Sequence, residues 1–148
     1  MKLVIGSDHA GWSLKGYVIA HIKALGHEVI DVGSHDPNPV DFPDIARALT
    51  AKVLSGEAQR GIMVCGTGVG ASIAANKVRG IRAAVCHDVH SAHQSVEHDD
   101  VNVMCIGAQI VGPWLAKDLV ATYLDARFST DEDFRRRVAK LAAMDEGR

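Results

Sequence analysis

The sequence has no strong charge of either sign, no paired cysteine motif and no long hydrophobic run. A net charge of −2 over 148 residues leaves no electrostatic driver for nucleic acid or an anionic membrane surface. No apolar stretch approaches the roughly 20 residues that a membrane helix requires. The opening "MKLVIGSDHAG" enters a strand-like run at once and is too short and polar for a signal h-region. Cys65, Cys86 and Cys105 are an odd set, far apart, with no C-x-x-C pair. This pattern argues against a disulfide frame or a zinc knuckle and predicts reduced thiols in a cytoplasmic protein. There is no repeat, linker or low-complexity segment.

What remains is the balance of an ordinary globular chain, 47% apolar and 23% charged, long enough for one domain over residues 1–148 with one sizeable core. Strand and helix patterns alternate. Strand-like runs are predicted at 2–7, 27–33, 61–65, 81–86 and 101–108. Helical patterns are predicted at 11–26, 45–56, 71–78, 90–99, 112–126 and 131–146. The segment "SHDPNPVDFPD" carries three prolines among Asp and Asn and reads as turn. Pro113 falls in a first helical turn, where its missing N–H costs little. Strands joined by helix-length crossovers pair in parallel. The expected fold is therefore a Rossmann-like three-layer α/β/α domain with a five-stranded parallel sheet.

In such sheets ligands bind beyond the carboxyl ends of the strands. That rule selects Asp8 and His9, Cys65 through Ser72, Cys86 through Asp88, and Ala108 with Gln109. Gly66-Thr67-Gly68-Val69-Gly70-Ala71 satisfies G-x-G-x-x-G/A, and Asp88 lies about where a ribose-binding carboxylate would. A dinucleotide is thus one reading. Against it, the loop follows the third strand rather than the first, and the chain has no room for a substrate domain. The bland alternative is that these glycines serve strand-to-helix packing alone. The other functional reading is an anion cradle of backbone N–H groups at a helix start, able to hold an oxyanion formed during reaction. A cysteine beside it would have its thiolate favoured by the same groups.

The remaining polar residues each have a structural reading as well. Asp8 and His9 read as a loop pair or a helix cap. Glu97, His98, Asp99 and Asp100 read as a solvated helix end. His87, His90 and His93 have helical spacing, but no convergent cysteine or carboxylate set accompanies them, so no metal site is expected. Cys86 and Cys105 read as core.

The motifs "GSDHAG" followed by "LK", "DFP", "CGTGVGASIAANKVRGIRAAVC", "SAHQSVEHDDVNV" and "IGAQIVG" occur in order across nearly the whole chain. Together they resemble the ribose-5-phosphate isomerase B and LacA–LacB group of sugar-phosphate isomerases. The resemblance implies an aldose–ketose isomerisation through a cis-enediolate, without metal or other cofactor. It implies Cys65 as the base, because the alternative glutamate of the family is replaced here by Ala71. Thr67 and the backbone of Gly66, Gly68, Val69 and Gly70 would stabilise the enediolate. His98 would open the sugar ring with Asp8 as counterpart. His9, Ser72, Asp99, Gln109 and Arg137 would line the substrate. A homodimer, or a tetramer of two such pairs, would complete the site, with helix 131–145 contributing to it. A sugar or sugar phosphate is the implied ligand.

Several positions depart from that family pattern. Asp99 replaces a usual asparagine, Gln109 a usual arginine, and Phe42 a common tyrosine. Asp133 stands where the first of two arginines is usual, Arg137 matches the second, and Arg135 or Arg136 is the alternative for the first. These changes make the phosphate end about four charges more negative, which would cost a dianionic phosphate several kcal/mol. The expected substrate is a different sugar phosphate or an unphosphorylated sugar. A dinucleotide module and a non-catalytic sugar-binding relative are the competing expectations.

Overall fold

Arg60–Cys65 (β3) occupies the middle of a parallel sheet, and its apolar run explains why. Ile62, Met63 and Val64 are all fully buried, as a strand covered on both faces requires. Lys2–Ser7 (β1) lies on one side of it and Val103–Gly107 (β5) on the other. Glu28–Asp31 (β2) and Ala83–Val85 (β4) form the edges, giving the order β2-β1-β3-β5-β4. All four pairings are parallel, with Ile5 opposite Ile62 and Cys65 opposite Gly107. The computed structural model describes residues 1–147.

Helices cover both faces. Trp12–Ala24 (α1), Val89–Glu97 (α4) and Pro113–Asp125 (α5) pack one face through Leu14, Val18, Ile22, Val96, Leu119 and Tyr123. Phe42–Leu54 (α2) and Val69–Asn76 (α3) pack the other through Ala46, Leu49, Ala71 and Ala75. The expected three-layer α/β/α architecture is the observed one. α2 and α5 each carry proline in the first turn, where the ring suits helical φ. Glu132–Glu146 (α6) stands apart: none of its residues is buried.

Two boundaries differ from the sequence expectation. α3 starts at Val69 rather than 71, because Gly68, at φ +80°, turns the chain so that Val69 and Gly70 already join the helix. A side chain at Gly68 would also stand 3.3 Å from the backbone of Cys105 and Ile106. β4 is three residues long rather than six. Before it, Ile81 N–H closes a turn onto Val78, and Arg82 is held by the Asp100 carboxylate and the Asn102 side chain. After it, the ladder continues only through Cys86 N–H to Cys105.

One buried cation ties α1 to β2. Lys15 is 4% exposed; its ammonium donates to both Asp31 oxygens at 2.8 and 2.9 Å and to the Ser34 carbonyl. A Lys15→Met variant keeps the apolar stem and strands these acceptors. It should lose about 2 kcal/mol of stability, less than a fully buried pair because Asp31 is partly exposed. Thermal unfolding should show a drop of about 4–8 °C. An unchanged melting temperature would refute the assigned role of this ion pair.

Candidate active site

The sheet fixes where chemistry-bearing residues gather. At the carboxyl end of β3, Cys65 is 6% exposed and its carbonyl accepts from Ala108 N–H at 2.8 Å. Gly66 O accepts from Gln109 N–H at 3.0 Å. The turn after β5 is thereby sewn to the start of the glycine loop. The Gln109 carboxamide lies 3.2 Å from where a Cβ on Gly66 would stand, and the Phe42 ring 3.1 Å from one on Gly70. The loop is clasped between these two side chains. Thr67 Oγ1 accepts from Val69 N–H at 3.3 Å. The N–H groups of the first turn of α3 face this end of the sheet, with the positive end of the helix dipole behind them. Ser72 sits inside α3 rather than at the cradle: its hydroxyl donates to Ala83 O at 3.3 Å.

Asp8 and His9 join the same edge from β1. Asp8 is 6% exposed, and its Oδ1 accepts from Gly11 N–H at 2.9 Å; Gly11 is itself the N-cap of α1, so the carboxylate closes the turn before the helix rather than capping the helix. Gly11 lies directly on the backbone of Val64 and Cys65. Asp8 therefore belongs to a turn that rests on the cysteine. His9 is exposed, and its Nδ1 accepts from Val40 N–H at 3.2 Å, which ties the proline-rich loop to this edge.

After β4, His87 Nε2 accepts from Gly107 N–H at 2.9 Å. A backbone N–H only donates, so the neutral ring carries its proton on Nδ1. Burial lowers the His87 pKa, and the neighbouring Asp88 opposes that shift. Asp88 caps α4: it accepts from Ser91 N–H at 2.7 Å and Ser91 Oγ at 2.8 Å, and these bonds hold its carboxyl below the usual range. The carboxylate that a dinucleotide ribose would need is thus committed to a helix end. His93 pairs with Glu97 at 3.1 Å, so the spaced histidines of α4 turn to different partners.

His98, Asp99 and Arg137 are not part of this gathering within one chain. α4 runs back along the sheet, so His98 and Asp99 precede β5 at the amino ends of the strands. The length of β5 alone sets the two edges about 13 Å apart. There the His98 ring stacks on Phe134 of α6, centroids 4.0 Å apart and planes 11° from parallel. Arg137 lies over the same Phe134 ring at 5.5 Å. Asp133 sits in the first turn of α6 and pairs with Arg136 at 2.5 Å, which lowers its pKa. Arg135 lies over Phe128 at 4.8 Å. Asp99 lines a 560 Å³ cavity between the edge strand and α6, with Arg82, Leu141 and Met144. The Phe134 stack escaped the sequence reading, because nothing in local pattern pairs a residue of α6 with the end of α4.

Residues 3–141 match the family model described as Ribose/Galactose Isomerase. Ribose-5-phosphate isomerase B of Escherichia coli is 42% identical over 147 residues, 99% of this chain and 98% of that protein. D-erythrulose-4-phosphate isomerase of Pectobacterium atrosepticum is 42% identical over 131 residues, 86% of this chain and 85% of that protein. The solved structure of Clostridium thermocellum ribose-5-phosphate isomerase B superposes with a TM-score of 0.96 at 46% identity, covering 99% of each chain. The expected resemblance therefore holds across fold and sequence alike: the chain belongs to the ribose/galactose isomerase family and is an aldose–ketose isomerase.

Proposed function

We propose that the chain interconverts an open-chain aldose and its ketose through a cis-enediolate, with Cys65 as the base. The observation that carries this reading is the placement of Cys65 at a strand end, beneath the Asp8 turn and continuous with the glycine cradle. The Cys65 thiolate takes the proton from C2 of the aldose. The carbonyl electrons move onto O1, and that negative charge falls to Thr67 and the backbone of Gly66, Gly68, Val69 and Gly70. The Cys65 thiol then returns the proton to C1, while a second proton moves from O2 to O1. The reaction is redox-neutral and internal to the sugar, so the scheme has no step for a cofactor. His98, with Asp8 as counterpart, opens the ring. His9, Asp99, Gln109 and Arg137 hold the substrate.

A site drawn from both edges of the sheet needs a second copy of the chain. The unburied α6, with Leu141 and Met144 exposed beside β4, supports a homodimer, or a tetramer of two such pairs. The net charge of −2 favours neither nucleic acid nor membrane as partner, and the free cysteines fit the cytoplasm.

The substrate differs from ribose 5-phosphate in what it presents at its far end. Asp133 neutralises Arg136, Gln109 is uncharged, and Asp99 adds a carboxylate. These features favour a different sugar phosphate, such as the four-carbon type named for the Pectobacterium relative, or an unphosphorylated sugar. An isomerase assay over four- to six-carbon aldoses, each with and without phosphate, tests this. The preferred aldose should exceed ribose 5-phosphate in kcat/KM by about tenfold or more. A clear preference for ribose 5-phosphate would overturn the altered-pocket reading while leaving the isomerase in place.

A further inference from the structure

We propose that His87 is a positioning residue for the isomerisation: its neutral ring holds the turn after β5 against Cys65 and the glycine loop. The proposal rests on the isomerase reading above and adds a residue to it.

The sheet order makes the link. β5 lies between β3 and β4, so the segment after β4 faces the segment after β3 across the end of β5. β4 is too short to offer a carbonyl to Gly107 N–H, and the His87 side chain supplies the acceptor instead, at 2.9 Å. Ala108 and Gln109, the next two residues, donate to the carbonyls of Cys65 and Gly66 at 2.8 and 3.0 Å. Three successive N–H groups of one turn thus tie His87 to the backbone carbonyls of Cys65 and of Gly66, the first residue of the cradle. Gly107 also packs directly on this loop, since a Cβ there would stand 2.7 Å from Gly66 O and from the Thr67 backbone.

A protonated His87 has no acceptor left. Its Nε2–H would then oppose Gly107 N–H, and one of the two must move. Burial favours the neutral ring. The charged group that acts on it is Asp88, at the cap of its own segment, with His90 beside that carboxylate; across the sheet, Cys65 ends β3, two strands away from β4. Gln109, on the turn itself, does not titrate. The active form is therefore neutral His87, and its contribution is present above its pKa and lost as pH falls through it.

Two variants separate positioning from bulk stability. Gln in place of His87 reaches the same acceptor position without titrating; Ala removes the acceptor. His87→Ala should lower kcat about tenfold to a hundredfold, with KM changed less than about threefold. His87→Gln should restore most of that kcat. In the parent protein the acid limb of log kcat/KM should steepen below the ordinary imidazole range, the side to which burial moves His87, and His87→Gln should lack that extra step. The Gly107 amide resonance should follow the same ionisation in the substrate-free parent, a readout independent of turnover. Full kcat in His87→Ala, no rescue by glutamine, an unchanged acid limb in His87→Gln, or a Gly107 resonance that ignores pH would each overturn the proposal. Loss of the Cys65 assignment alone would leave the resonance result standing, so the two failures are distinguishable.

Discussion

On the mechanism proposed above, Cys65→Ala should lose ketose formation by about three orders of magnitude, because it removes the proposed base. KM should change little, since the cradle and the Asp8 turn remain. The fold should survive: Cys65 is nearly buried at the end of β3, and removing one sulfur leaves a void that costs about 1 kcal/mol. The Asp8 carboxylate beside it is committed to Gly11 N–H at 2.9 Å. Position 71, the other place where a base would fit in this loop, is Ala71, fully buried in α3. Burial pushes the thiols of Cys86 and Cys105 upward, so both stay protonated core groups, in line with their reading from sequence. Cys65→Ser should be nearly as inactive as alanine, for its hydroxyl keeps the size but not the acidity of the thiol. Exchange of the C2 proton with deuterated solvent should vanish with ketose formation in both variants. Retained turnover in Cys65→Ala would remove Cys65 as the base and return the question to Asp8.

Some of this was legible from the chain and some was not, for physical reasons. Parallel pairing follows from helix-length crossovers, and the carboxyl edge follows from parallel pairing, so Asp8, Cys65, His87 and Gln109 could be placed together without coordinates. The separation of His98 from Cys65 follows from the same logic, because a helix between parallel strands must run back to the amino edge. Strand order is different. That β5 inserts between β3 and β4 is a property of side-chain packing, and only with it does His87 meet Gly107. The His98 and Phe134 stack likewise depends on where α6 comes to rest. Sequence pattern identified α6 as a helix; it has no buried face that would have predicted its neighbour. Ser72 shows how a helix start redirects a side chain. It follows the loop in sequence, but α3 begins early and has already rotated its hydroxyl toward Ala83.

Gly11→Ala is expected to be the most destabilising single-methyl change in the chain, and the reason is the same contact that builds the site. The backbone at Gly11, φ −92° and ψ −11°, is open to any residue, so conformational freedom is not what glycine provides there. The requirement is space. A Cβ on Gly11 would stand 2.2 Å from the Val64 carbonyl oxygen and 2.7 Å from the Cys65 amide nitrogen. Both are atoms of the central strand, held by ladders to β1 and β5, and no rotamer change relieves them. Either α1 lifts from the sheet or the end of β3 shifts. Such overpacking costs about 3 kcal/mol or more, a fall of about 6–12 °C in melting temperature for a chain of this size. By contrast Gly16→Ala, on the same helix with nothing within 4 Å of its Cβ, should raise stability by about 1 kcal/mol at most through helix propensity. Activity should report the same contact separately. Gly11 N–H holds the Asp8 carboxylate, so lifting the turn carries Asp8 away from Cys65. At a temperature where Gly11→Ala is still folded, kcat should fall about tenfold or more, while Gly16→Ala keeps the parent rate. A Gly11→Ala protein that melted and turned over like the parent would mean that the Asp8 turn does not rest on the cysteine strand, and that these two groups do not share one site.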